Sequence, residues 1–107
     1  MRDDVLLKLS KIIRERRSAS SDTSYTRQLL DAGWQRCAQK LGEEAIETVL
    51  AAASDDTAHL QEESADLLYH LLVLLAARDV EISEVLAILD ARMGVSGLEE
   101  KASRTSR

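Results

Sequence analysis

The chain contains no proline and no phenylalanine, and its aromatic residues amount to one tryptophan and two tyrosines. A sequence so free of helix breakers and of rings that favour strands leans towards helices. Its single cysteine, Cys37, excludes an internal disulfide and suits a reducing cytoplasm. Arg2, Asp3 and Asp4 lead into no signal-type apolar run, so a cytoplasmic location is expected. The longest wholly apolar run, Leu71 to Ala77, is far short of the roughly 18 to 20 residues that span a bilayer, so no membrane partner is expected. Acidic residues outnumber basic ones, 19 to 14. A net charge of −5 argues against a broad basic surface for nucleic acid, although it leaves room for a nucleotide escorted by a metal ion. No Walker-type or dinucleotide-type glycine pattern occurs, and no serine stands in a nucleophile elbow. Cys37, on an apolar helix side with no obvious base nearby, reads as a small buried hydrophobe. Covalent catalysis therefore has no candidate.

What is present is 107 residues, enough for a single domain near the lower size at which one core suffices. The pattern predicts an all-α fold of five helices. Val5, Leu6, Leu9, Ile12 and Ile13 recur at helical steps among charged residues and mark the first. Residues 18–24 are small and polar and read as a flexible loop able to close over a ligand. Ser24 can cap a short helix over 25–32 that Gly33 ends. An antiparallel hairpin follows, with helices at about 34–53 and 57–78, the second capped by Asp55 or Asp56. Gly42 inside the first suggests a close approach of a neighbour or ligand. Residues 67–77 are apolar around almost the whole helix, so one neighbour cannot cover them. The simplest cover is a second copy, giving a homodimer with a four-helix core. Ser83 can cap a fifth helix over 84–93, and 95–107 reads as a flexible tail.

The chemistry concentrates in the hairpin. Glu44 and Glu47 are three residues apart, as are Glu63 and Asp66, so each pair projects from one helix face. Glu47 with Glu63, and Glu44 with Asp66, both average to position 55, within the turn Ser54-Asp55-Asp56. At about 1.5 Å per residue all four lie on the order of 9 to 17 Å from that turn, in register across it. Carboxylates gathered this way repel unless a cation sits between them, and Mg²⁺ is the hard ion such all-oxygen sites take. Salt bridges to Arg36 and Lys40, which share the acidic arc, are the competing reading, and these cations could equally wait for phosphates. His59, Glu63, Asp66 and His70 share an arc of about 60°. His70 reads as a partner behind Asp66 or Glu63 or as plain packing, and His59 as surface. A Mg²⁺ centre would bind polyphosphate oxygens and activate a water, with Glu43 available to orient or deprotonate it. The implied chemistry is pyrophosphate hydrolysis.

Glu43-Glu44-x-x-Glu47 followed by Glu63-x-x-Asp66 resembles the metal motif of the all-α nucleoside triphosphate pyrophosphohydrolases, the superfamily that includes MazG and the dimeric dUTPases. Ser24-Tyr25-Thr26, the run 39–44, the run 65–72 and the tail 96–104 further resemble the phosphoribosyl-ATP pyrophosphatase family of histidine biosynthesis. The resemblance spans nearly the whole chain. It implies hydrolysis of phosphoribosyl-ATP to phosphoribosyl-AMP and pyrophosphate with Mg²⁺. It places Glu44, Glu47, Glu63 and Asp66 at the metal, with Glu43 close by. Lys40, Lys101 and Arg104 would meet phosphates, recasting the tail as a flap that orders on substrate. Two other readings stay open: a house-cleaning nucleotide pyrophosphatase of the same superfamily, and a non-catalytic helical dimerisation module.

Overall fold

The computed structural model describes residues 4–18 and 24–93. Its described part is built from five α-helices and one 3-10 turn, with no strand among the described residues. Helix α1 spans Asp4–Glu15 and runs into the 3-10 turn Arg16–Ser18; α2 is Tyr25–Ala32, α3 Trp34–Ala53, α4 Thr57–Ala77 and α5 Ile82–Arg92. The α3–α4 hairpin is the principal packing unit, with α1 and α2 laid against α4 and α5 against α1. The expected loop lies largely outside the described residues, which resume at its last member, Ser24. The expected tail, residues 95–107, lies wholly outside them.

Local chemistry sets the helix ends. The Ser24 hydroxyl accepts from the Arg27 amide at 3.1 Å and so starts α2. Gly33 takes a φ of 99°, which a side chain would resist, and α3 begins at once. Asp56 caps α4 by accepting from the His59 amide at 3.1 Å, so the chain reverses where the mirrored acidic pairs require it. At the other end of α4, the Asp79 amide donates to Ala76 and the Val80 amide to Leu75, the doubled bond of a Schellman ending. Asp79 occupies its left-handed position at a φ of 57°, where glycine is usual, and pairs with Arg17 at 3.1 Å.

Helix α5 starts two residues before the predicted Glu84. Glu81 and Glu84 form a reciprocal capping box that satisfies two backbone amides, one more than a Ser83 cap would. The earlier start also carries Ile82 into the core. That core consists of Ile13, Leu29, Cys37, Leu72, Val73, Ala76 and Ile82, so every helix contributes to it. Cys37 is buried as expected, and its thiol donates to the Leu29 carbonyl at 3.3 Å, which fastens α3 to α2. At Gly42 no neighbouring helix makes the close approach: among the described residues an added Cβ there meets nothing within 4 Å.

Candidate active site

Helices α3 and α4 bring ligand oxygens of Glu44, Glu63 and Asp66 within 4.8 Å of one another. Three of the four mirrored carboxylates thus meet across the hairpin. Glu47, the fourth, stands beside Glu44 on the exposed edge, close enough for their carboxyls to share a hydrogen bond, but outside the converging group. Exposed where Glu44 is not, Glu47 meets the group only at Glu44.

A residue that sequence reasoning passed over locks this register. The Thr48 hydroxyl lies between the two helices, 2.7 Å from the Glu44 carbonyl and 3.2 Å from the Glu63 carbonyl. The first contact is the ordinary backward bond of a helical threonine. The second ties α3 to α4 beside the acids. Its only sequence signal is a β-branched hydroxyl one turn after Glu44.

Charge within the group is uncompensated. Among the described residues no lysine or arginine forms an ion pair with Glu44, Glu63 or Asp66. Lys40 instead pairs with Glu43 at 3.2 Å, and Gln39 donates to the same carboxylate at 3.0 Å. These two bonds hold the Glu43 carboxyl below its usual range. The bond to Glu43, foremost, raises Lys40. Both side chains lie at the solvent edge, with their charges already matched.

Glu44 is different. Its side chain is only 13% exposed. Burial first, then the hydrogen bond and charge of Glu47 and the charges of Glu63 and Asp66, push its carboxyl up to about 7. Oε2 of Glu44 and Oε2 of Glu63 are both buried without a hydrogen-bond partner, an expensive state for carboxylate oxygens. Oxygen-only donors, surplus negative charge and two orphaned buried oxygens fit a hard divalent cation.

His70 is buried, with Nε2 4.0 Å from Glu44 Oε1 and Nδ1 lacking a partner. Glu44 is thus its nearest acid, beside the expected Asp66, whose charge also acts on the ring. Burial, aided by the Lys40 charge, lowers its pKa and keeps the ring neutral in neutral solution. His59 is exposed, as expected of it. Lys101 and Arg104 lie outside the described residues.

Among the described residues, five helices with facing carboxylates across the central hairpin define the class: an all-α domain with an acidic, oxygen-only centre. Comparison with known proteins then narrows this class. The chain belongs to the phosphoribosyl-ATP pyrophosphohydrolase family, whose profile matches residues 6–93. It is 57% identical over 96 residues to phosphoribosyl-ATP pyrophosphatase 1 of Bradyrhizobium diazoefficiens, covering 90% of this chain and 91% of that protein. A phosphoribosyl-ATP pyrophosphatase of Dinoroseobacter shibae is 53% identical over 100 residues, covering 94% of this chain and 98% of its own length. Another, from a Ruegeria species, is 52% identical over 96 residues.

Proposed function

We propose that this protein hydrolyses phosphoribosyl-ATP to phosphoribosyl-AMP and pyrophosphate, the second step of histidine biosynthesis. The observation that carries the proposal is the convergence of Glu44, Glu63 and Asp66, with two buried oxygens left unpartnered, in a chain of this family. Glu44, Glu63 and Asp66 would hold Mg²⁺, joined by Glu47 from the exposed edge. Bound there, the ion would supply charge neutralisation for the diphosphate and acidify a water for attack on phosphorus.

The chain's own residues do the remainder. Thr48 keeps the two acidic helix faces in register, and buried His70 limits the positions open to the Glu44 carboxyl. Lys40 stands at the rim to receive a phosphate oxygen, a contact that would release Glu43 from it. Freed of that cation, Glu43 becomes a stronger base beside the acids and is positioned to take the proton of the attacking water. Lys101 and Arg104, outside the described residues, would add further phosphate contacts.

The proposal includes a homodimer. Ile46, Val49 and Leu50 are each more than 60% exposed on α3 and, with Ala45, line an apolar depression of about 220 Å³. A second copy is the cover that this face and the exposed Leu68 of α4 call for, whereas residues 69–77 of α4 are already covered by the other helices of the same chain, against the sequence expectation that one chain could not cover them.

The test is to assay phosphoribosyl-ATP beside dUTP and the common nucleoside triphosphates, with Mg²⁺ and with chelator. The expected result is selective, Mg²⁺-dependent release of pyrophosphate from phosphoribosyl-ATP, lost in Glu63→Gln while the fold persists. Preference for a plain triphosphate would overturn the substrate assignment.

A further inference from the structure

A chain with three aromatic residues exposes one of them beside its acids. Tyr25 is 53% exposed. Its ring stands at right angles to that of His70, 6.3 Å between centroids, and His70 in turn lies 4.0 Å from Glu44. Lys40 is close enough for the two side chains to influence each other electrostatically. The exposed ring is thus one side chain removed from both the acidic group and the rim lysine.

Its placement is not that of a loose surface residue. Tyr25 is the first residue of α2, a position set by the Ser24 cap. The next residue, Thr26, hydrogen-bonds the hydroxyl of Tyr69 on α4, and the Tyr69 ring packs edge-on against His70 at 5.0 Å. Bonds made by its neighbours Ser24 and Thr26 therefore fix where Tyr25 sits, while its ring, edge-on to His70, stays half exposed. The other two aromatics are occupied: Tyr69 is bonded to Thr26, and Trp34 carries Arg78 over its ring at 4.9 Å.

A nucleotide's base is separated from its α-phosphate by a single ribose. A diphosphate held at the acidic group and Lys40 therefore leaves its base to fall on a neighbouring surface. Aromatic rings take bases by stacking. A purine alkylated on a ring nitrogen also gains positive character, and such a cation is attracted to an aromatic face more strongly than a neutral base is. We infer that Tyr25 is a specificity-determining residue, its ring stacking on the ribosylated purine of the substrate and favouring it over unmodified ATP. The inference rests on the proposed function above.

The experiment compares wild type, Tyr25→Leu and Tyr25→Phe on phosphoribosyl-ATP and on ATP, with thermal melts as the check on folding. If Tyr25→Leu does not fold, Tyr25→Gln replaces it. In Tyr25→Leu, KM for phosphoribosyl-ATP should rise about tenfold, the loss expected of one stacked base, while kcat changes less and ATP is affected less. Tyr25→Phe should keep the wild-type preference. An unchanged KM in Tyr25→Leu, an equal loss on both substrates, or Tyr25→Phe failing as badly as Tyr25→Leu would each overturn the inference. Wild type that does not turn over phosphoribosyl-ATP would instead bring down the proposed function, and the inference with it.

Discussion

Replacing Glu44 by glutamine separates a metal-binding carboxylate from a structural one. In the folded chain the Glu44 carboxyl is raised from 4.5 to about 7 by burial and by the neighbouring acids. A carboxyl with a raised folded-state pKa stabilises most below its unfolded value and loses that contribution as pH climbs through the folded value. The metal-free protein should therefore lose stability between about pH 4.5 and pH 7 from this group. The difference between 4.5 and about 7 corresponds to an upper bound of about 3 kcal/mol at pH 8. In a domain of this size that is a melting shift on the order of 10 °C. Thermal melts at pH 5.5 and pH 8, in chelator and at one fixed protein concentration, read about 2 kcal/mol of this loss, because part of it already falls below pH 5.5. Glu44→Gln should melt higher than wild type at pH 8 without metal, and show a flatter pH dependence. Adding Mg²⁺ should stabilise wild type, by about 2.7 kcal/mol at a hundredfold excess over its dissociation constant, and do little for the variant. Hydrolysis should be lost. A Glu44→Gln protein that is less stable than wild type at pH 8 in chelator would refute the reasoning, because the carboxylate would then be a needed hydrogen-bond acceptor and not a repelled charge.

Thr48→Val keeps the shape of the side chain but removes the hydroxyl between the two helices; urea denaturation should show a loss of about 1 kcal/mol, and kcat/KM should fall with it. Ile46→Glu combined with Val49→Glu puts charge on the exposed α3 face and should shift sedimentation to a monomer, whereas an unchanged dimer would place the interface elsewhere. Asp79→Ala keeps the unfavourable left-handed backbone and loses the Arg17 pair, and should destabilise by about 1 kcal/mol, while Asp79→Gly should be near neutral because relief of the backbone offsets the lost pair.

The features legible in the sequence were those carried by periodicity and local caps. The turn at Ser54–Asp56 and the meeting of Glu44, Glu63 and Asp66 followed from their symmetric spacing, since a straight antiparallel helix pair converts sequence distance from the turn into height. Ser24, Gly33 and Asp56 were readable because each cap acts within four residues. What escaped depended on tertiary contact or on competition. The start of α5 was a contest between two possible caps, decided by a reciprocal bond and by core burial of Ile82. Thr48 and the Thr26–Tyr69 bond join residues of different helices, which no single-helix wheel reveals. His70 lay on the predicted inner arc, but which acid it backs depends on how α3 rotates against α4.

Trp34 is the only indole in the chain, and it sits at the start of α3 under the guanidinium that ends α4. Its light emission therefore reports whether the two ends of the hairpin are clasped, from a point ten residues along α3 from Glu44. The molecule carries its own optical gauge of hairpin closure, readable in stopped-flow without any label.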